Sequence, residues 1–409
     1  MDRSAETNMS DTSTMTPLPK QSAPIKAEAA AVTRLVLTDF RNYASLKLDV
    51  SPSPVVLTGE NGAGKTNLLE AVSFMSPGRG LRRAKLPDVT RRGQSVWAVA
   101  ATLQDQTGET GIGTGLEPVS ADNGSDPSSR RVVHIDGVPA RSANVLADYA
   151  VVGWLTPQMD RLFVEGASAR RRFLDRLVYG FDTGHARRVS AYEKSLRERA
   201  RLLRSGQRDP AWLSALESTM AEHGIAVAAA RRDAVLRLGN AMDEGFGLAG
   251  ENFPRAEVRA EGVVEDWLED HPAVEVESRF LDALKASRDQ DAISGGARTG
   301  PHRSDMGVTH GPKSMPAGQC STGEQKALLI AIILADARLQ AARLGRAPIL
   351  LLDEVAAHLD DTRRAALFEE LIEIGGQAWL TGTDATLFQP LRNKAQFVTV
   401  SHGEIAYAA

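Results

Sequence analysis

The sequence predicts an α/β fold: a lobe built on a mixed sheet, with an inserted, mainly helical lobe. Three observations carry this. A glycine-rich loop at 59–66 sits between a short apolar strand and a helix. A second wholly apolar run, 349–352, ends in Asp353-Glu354. Between them, residues 167 to about 284 are highly charged and carry apolar positions at helical spacing. The strand–loop–helix unit and the later buried strand read as halves of one α/β lobe. The helical block lies between those halves as an insertion.

In chain order, residues 1–31 are rich in Ser, Thr, Pro, Ala and Met, lack periodicity, and are expected to be a disordered tail. Residues 32–37 and 46–50 alternate as half-buried strands do. Val55-Val56-Leu57-Thr58 is a buried strand running straight into the glycine loop, and 67–75 reads as the following helix. Residues 96–100 and 132–135 read as two more strands. The Gly/Ser/Asp-rich stretch 108–129 between them reads as a flexible, solvated hairpin loop. Arg170-Arg171-Arg172-Phe173-Leu174-Asp175 opens the helical block, and Leu213, Leu216, Met220, Ile225 and Val227 mark an apolar helix face. Residues 349–352 and 378–381 return to buried strands. The expected divisions are a tail at 1–31, lobe halves at 32–166 and 291–409, and a helical lobe at 167–290.

The 409 residues allow one large domain or two ordinary ones, and 42% hydrophobic residues suit a sizeable core. The net charge of -4 excludes a bulk polycation, so any nucleic-acid contact needs local basic patches. A single cysteine, Cys320, excludes an intramolecular disulfide and a multi-cysteine zinc site and implies a reducing compartment. Cys320 itself is expected to be a small buried residue. No run approaches the ~20 apolar residues that span a bilayer. The polar, acid-bearing start does not read as a secretory signal. A cytoplasmic location without a membrane partner is expected.

Gly59-Glu60-Asn61-Gly62-Ala63-Gly64-Lys65-Thr66 satisfies G-x-x-x-x-G-K-[ST] in the required strand–helix context. Its glycines let backbone N–H groups curl around phosphate oxygens, and the helix N-terminus adds its positive dipole end. Lys65 is expected to reach the β- and γ-phosphates of ATP and Thr66 to ligate Mg²⁺, with Asn67 completing the nucleotide-binding set. Asp353 supplies a carboxylate for the same metal, and Glu354 is the candidate base for the attacking water. An apolar run ending in Asp-Glu says little alone; paired with the loop it is specific.

Ser321-Thr322-Gly323-Glu324-Gln325 opens a strongly helical segment, 326–339. Hydroxylic residues and a glycine at a helix N-terminus make an anion site; the same string is also an ordinary N-cap followed by an acid. Placed after the insertion and shortly before the Asp-Glu strand, it resembles the signature motif of ABC-type ATPases. That resemblance implies an ABC-type P-loop ATPase lobe, in which the signature of one subunit closes over ATP held by the loop of another. One loop and one signature per chain then imply an ATP-driven homodimer. It also implies a Q-loop role for Gln158, sensing Mg²⁺ and the attacking water, and a D-loop at His358-Leu359-Asp360. Such enzymes usually carry a switch histidine after the last buried strand. Thr381-Gly382-Thr383-Asp384 stands there instead, with Thr383 and Asp384 as substitutes, so modest turnover is expected.

Further strings resemble the RecF family of bacterial recombination and replication-repair proteins. They are Leu35-Val36-Leu37-Thr38-Asp39-Phe40-Arg41-Asn42-Tyr43, the Gly-Glu-Asn-Gly form of the loop, Arg170 to Asp175, and Gly300-Pro301-His302-Arg303. They run in family order from about Val32 onward. The resemblance implies ATP-dependent dimerisation on DNA, release on hydrolysis, and action at gaps and stalled forks with RecO and RecR in recombinase loading and the SOS response. Basic clusters at Arg79, Arg82, Arg83 and Lys85, at Arg91 and Arg92, at 170–172, at Arg187 and Arg188, and at Arg197, Arg199, Arg201 and Arg204 are independent hints of a phosphate-binding face. Taken alone they read rather as solvated helix surface beside Glu193 and Glu198, and no DNA contact is assigned. Binding to single- and double-stranded DNA is expected to be sequence-independent. His302 and Arg303 read either as nucleotide or partner contacts or as fasteners between lobes.

Three other assignments compete with this one. A transporter ATPase subunit lacks the long insertion and the Gly-Pro-His-Arg block. A cohesin- or condensin-like head needs long heptad arms for which the span from Lys65 to Asp353 is too short. An ATP-gated scaffold without useful hydrolysis is opposed by Glu354 and favoured by the missing switch histidine.

Overall fold

The computed structural model describes residues 30–117, 130–206, 209–247, 252–345 and 347–407. The expected tail lies outside these, apart from its last residues. Strand β1 (Ala31–Phe40) folds back through a tight turn into β2 (Tyr43–Asp49). Strand β3 (Val55–Thr58) leads through the glycine loop into α1 (Lys65–Ser73). Then follow β4 (Ala98–Asp105), β5 (Gly108–Glu117), β6 (Arg130–Ile135), β7 (Val138–Pro139) and β8 (Val152–Leu155). The helical block is α2 (Ala167–Tyr179), α3 (His185–Arg204) and α4 (Pro210–Asp243), then β9 (Ala256–Glu261), α5 (Val263–Asp270), α6 (Ala273–Ala286) and α7 (Arg288–Ser294). The chain closes with β10 (Asp305–His310), β11 (Met315–Pro316), α8 (Thr322–Leu344), β12 (Ile349–Leu352), α9 (Asp361–Ile374), β13 (Ala378–Gly382), β14 (Gln396–Ser401) and β15 (Glu404–Tyr407).

Two larger sheets make the α/β lobe. One is antiparallel, in the order β2-β1-β4-β5-β6-β7. The other runs β15-β14-β3-β13-β12-β8; its strands are parallel except for the β14–β15 pair, so it is mixed. Its central strands bury both faces, as their unbroken apolar runs require. Leu57, Leu351 and Trp379 join α1 and the antiparallel sheet in one core. Val56, Leu350 and Leu380 face the opposite core, with α8, α9 and α2. Period-2 geometry sorts alternate residues into the two cores.

Two segments differ from expectation. The first half of the glycine-rich stretch is strand β5, bonded on both sides, with Ala98 opposite Gly115 and Glu117 opposite Arg130. Ile112, Thr114 and Leu116 supply a buried period-2 face that the intervening glycines obscure. Gly115 has a packing reason: a Cβ there would meet the carbonyl oxygen of Trp97 at 2.6 Å. Residues 118–129, the rest of the expected hairpin loop, lie outside the described residues. The second difference is β9, a strand within the helical block. It pairs with β10 beyond the expected end of that block, in the order β11-β10-β9.

Buried ion pairs fasten the block to the rest. Asp175 on α2 accepts both Nε and Nη2 of Arg231 on α4, at 2.8 and 2.9 Å, and His185 Nε2 lies 2.8 Å from the same carboxylate. Arg231 also donates to the carbonyl of Pro301 at 2.6 Å. Arg170 grips Asp305 through two 2.7 Å bonds, and Arg171 donates to the carbonyl of Ser304. His302 Nε2 donates to the carbonyl of Ala297, and its Nδ1 accepts from the Tyr192 hydroxyl at 2.6 Å. Burial holds the His302 imidazole neutral, with its pKa lowered to about 4. The Arg-Arg-Arg-Phe-Leu-Asp string therefore binds Ser304 and Asp305, just after Gly-Pro-His-Arg, and reaches Pro301 through Arg231.

Asp175→Asn leaves the Arg231 guanidinium buried without its anion. It is expected to destabilise the chain by about 3–5 kcal/mol in urea unfolding at neutral pH. Burial opposes the charge on Asp175, but Arg231 and His185 hold its pKa down to about 2. A folded pKa below the unfolded value gives stability that is complete above about pH 4 and is lost as pH falls toward 2. The gap between wild type and variant is expected to narrow across that window.

Candidate nucleotide site

The glycine loop is held from beneath by the β1–β2 turn. The Tyr43 hydroxyl donates to the carbonyl of Gly64 at 3.1 Å, and Asn42 Nδ2 donates to that of Ala63 at 3.2 Å. Asn67, one turn into the site, donates to Asn42 Oδ1 at 2.6 Å. Arg41 and Arg82 both bind Glu70, which α1 carries fully buried. The Phe-Arg-Asn-Tyr string, whose sequence alone indicates no task, is the loop's support. Gly64 caps α1 at φ 119. A Cβ there would sit 2.5 Å from the Tyr43 oxygen and 2.7 Å from Asn42 Nδ2, so only glycine fits.

Glu60, Asn61 and Gly62 form the exposed outer turn of the loop, while Ala63, Gly64 and Lys65 are buried. Lys65 Nζ donates to the carbonyls of Gly59 and Glu60 at 2.7 and 2.8 Å. Burial lowers its pKa, against the opposing pull of Glu354 and Asp353. An ammonium held among carbonyls, within the field of two carboxylates, is ready to exchange those partners for phosphate oxygens.

Thr66 Oγ1 donates to Asp353 Oδ1 at 2.9 Å, so the two motifs meet across 287 positions of sequence. Asp353 follows directly from β12 and is buried. Thr381, at the end of β13, donates to the same oxygen at 2.7 Å and accepts the backbone N–H of Glu354 at 2.9 Å. Glu354 is half-buried and stands at φ 54, in the left-handed region. The donor set fits Mg²⁺: a hydroxyl with a free lone pair, a buried carboxylate, and no softer ligand beside them. Among the described residues no cluster of three or more His, Cys, Asp or Glu can cage a metal.

Gln158 is exposed in the 3-10 turn Pro157–Arg161 that follows β8. Strand β8 pairs with β12, and the Asp353 N–H donates to the carbonyl of Leu155 at 2.9 Å, which brings the Gln158 turn to the same sheet edge. Gln158 lines a cleft of ≈ 850 Å³ between the 76–83 loop and helices α2 and α3. Asp160, in the same turn, takes an ion pair from Lys326 on α8 at 3.3 Å.

Ser321 caps α8 and forms a reciprocal capping box with Glu324. Lys313 and Ser321 lower the Glu324 pKa to about 2. Gln325 is buried and donates to the carbonyl of Cys320 at 2.8 Å. Thr322 and Gly323 face solvent. Among the described residues no hydrogen bond or ion pair joins 321–325 to 59–67. Cys320 is a buried free thiol. His358 is exposed, and Asp360 caps α9. Asp384 accepts the Thr386 N–H at 2.8 Å as the cap of a short turn, and both Thr383 and Asp384 face solvent. The hydroxyl touching Asp353 and the backbone of Glu354 belongs to Thr381, two residues before Thr383. A hydroxyl ending a wholly apolar strand was the signal available for it.

Several basic residues are committed elsewhere. Arg199 is 1% exposed and bound to Glu217, Asp291 and the carbonyl of Leu284. Arg82 binds Asn67 and Glu70, and Arg91 pairs with Asp39. Arg79, Arg83 and Arg172 are exposed where they line the cleft beside Gln158.

A glycine loop and a carboxylate-ended strand joined at one sheet edge, with the exposed 321–323 segment at the head of α8, fit the ABC type of ATPase. Residues 31–404 match the family model described as the RecF/RecN/SMC N terminal domain. The chain belongs to the RecF branch of that family. It is 51% identical to the DNA replication and repair protein RecF of Mesorhizobium japonicum, over 91% of this chain and 97% of that one. It is 49% identical to the RecF of Agrobacterium fabrum, over 92% and 98% of the two chains. The fold superposes with a TM-score of 0.79 on the recombination mediator protein RecF-ATP in the RecFOR pathway, at 21% identity, covering 94% of this chain and 99% of that one. The Smc head domain from Pyrococcus furiosus gives 0.53 at 16% identity, covering 93% and 96%.

Gly64→Ala is expected to weaken ATP binding by about tenfold or more, because the new Cβ strikes the Tyr43 support. Gly62 stands at φ 83 in open space. Gly62→Asn is expected to stay within about threefold of wild type, since Asn tolerates left-handed backbone. Titration with a fluorescent ATP analogue checks both.

Proposed function

We propose that the chain is an ATP-dependent DNA-binding protein of recombinational repair and replication. ATP with Mg²⁺ binds at 59–67, two copies close head-to-tail on DNA, and slow hydrolysis releases them. Residues 32–166 and 291–409 act as one ATPase lobe, with 167–290 as its helical lobe. The observation that carries this is the Thr66–Asp353 hydrogen bond at 2.9 Å, together with a signature whose first three residues face solvent. The phosphate side of the site lies within one chain, and Ser321, Thr322 and Gly323 of the signature are exposed and free to close over a second copy's nucleotide.

In this reading Lys65 leaves its loop carbonyls for the β- and γ-phosphates. Thr66 keeps its proton on Asp353 and offers a lone pair to the cation. Bound Mg²⁺ neutralises charge on the phosphates and polarises the γ-phosphoryl group. Gln158 orients the water and Glu354 accepts its proton as the new P–O bond forms and the bond to ADP breaks. DNA binds through its phosphates, single- or double-stranded and regardless of sequence, with Arg79, Arg83 and Arg172 as exposed cations near the site. By family relationship the setting is gaps and stalled forks in the cytoplasm, with RecO and RecR as partners, recombinase loading as the outcome and the SOS response downstream. No described helix is long and apolar enough to cross a membrane.

Sedimentation tests the dimer. Mass is expected to double with ATP and gapped DNA, and an unchanged mass would sink the sandwich. Glu354→Gln is expected to bind ATP, lose turnover by about a hundredfold and remain a dimer on DNA. Equal turnover in variant and wild type would remove Glu354 from its role.

A further inference from the structure

One buried hydroxyl at this edge has no part in the steps above. Thr381 is 1% exposed at the end of β13, between the strand that feeds the P-loop and the strand that ends in Asp353. A hydroxyl has one proton and two acceptor sites. A backbone amide only donates, so the Glu354 N–H occupies an acceptor site at 2.9 Å. The Thr381 proton is thereby directed at Asp353 Oδ1, 2.7 Å away. Both bonds are made at once and their polarity is fixed. Glu354, at φ 54, holds a conformation that a residue with a Cβ keeps only where its surroundings impose it. The Thr381 hydroxyl is the side-chain group bonded to that backbone.

We propose that Thr381 is a positioning residue for hydrolysis. It locks the backbone of Glu354 in the left-handed conformation that aims the carboxylate, and it fixes the rotation of the Asp353 carboxylate that Thr66 also binds. Thr381 itself touches neither nucleotide nor water. This rests on the reading of Glu354 as base. Valine keeps the shape of threonine and removes the hydroxyl, leaving the Glu354 amide and the Asp353 oxygen each short of a partner. Serine keeps both bonds and loses only the methyl group.

Steady-state ATPase assays on the full chain with Mg²⁺ and DNA test it. Thr381→Val is expected to lower kcat about tenfold or more while ATP affinity stays within about twofold. Thr381→Ser is expected to keep kcat within about threefold of wild type. Combined with Glu354→Gln, Thr381→Val is expected to lower the residual turnover by clearly less than it lowers that of wild type, because the base it aims is gone and only its hold on Asp353 remains. Wild-type kcat in the valine variant, equal losses in valine and serine, or multiplying losses in the double variant would each overturn the proposal. If the valine variant does not fold, Thr381→Ala takes its place in the same comparison. Glu354→Gln alone, turning over like wild type, would instead overturn the base assignment, so the two failures are read from different variants.

Discussion

Three parallel strands end at one edge of the sheet, β3 and β13 level and β12 two residues earlier, and the nucleotide site depends on that. Thr58 on β3 lies opposite Gly382 on β13, and Leu380 lies opposite Leu352 on β12. The residue after each apolar run therefore emerges at one edge of the sheet: the glycine loop, Thr381, and Asp353 with Glu354. Open α/β sheets bind ligands at such carboxyl edges because the strands deliver polar groups there while their bodies stay buried. A slip of one residue in β12 would turn Asp353 toward the opposite core and separate it from Thr66.

A second constraint comes from buried charge. Taking an ion pair out of water costs several kcal/mol per ion, and only dense hydrogen bonding offsets it. Asp175 has Arg231 and His185; Arg199 has Glu217, Asp291 and a carbonyl; Arg288 adds two bonds to Glu217. Such networks, in which His185 Nδ1 and Asp291 Oδ1 are left without a partner, favour one arrangement of α2, α3, α4 and the 297–305 segment. They hold the helical block in register with the lobe that carries α8, whose Lys326 in turn grips the turn beside Gln158.

The site combines that rigidity with local strain. Glu354 sits in left-handed backbone and Lys65 is buried against carbonyls in place of a counter-ion. Both are costly alone, and both are held by the frame: the β1–β2 turn under the loop and the Thr381 hydroxyl under Glu354. Groups prepared this way need little rearrangement when charge arrives.

Local pattern was enough for much of this chain. Unbroken apolar runs declared the central strands, the spacing of glycine and lysine declared the phosphate loop, and charged 3.6-residue periodicity declared the helical block. Those signals are legible because they are set by neighbours in sequence. The 108–117 strand was hidden because its outward positions are glycines, which announce flexibility unless a facing backbone, here at Trp97, forbids a side chain. The arginines were the other failure of pattern. Arg199 and Arg170 read like surface cations, but a charge belongs to surface or core according to whether a carboxylate from a distant segment reaches it. Thr381 is the same case in miniature: its residue type and strand were plain, and its partners were not. Sequence determined which elements form and what chemistry they carry. Only the tertiary structure decided which side chains meet, because a hydrogen bond between residues hundreds of positions apart is written in strand register and packing.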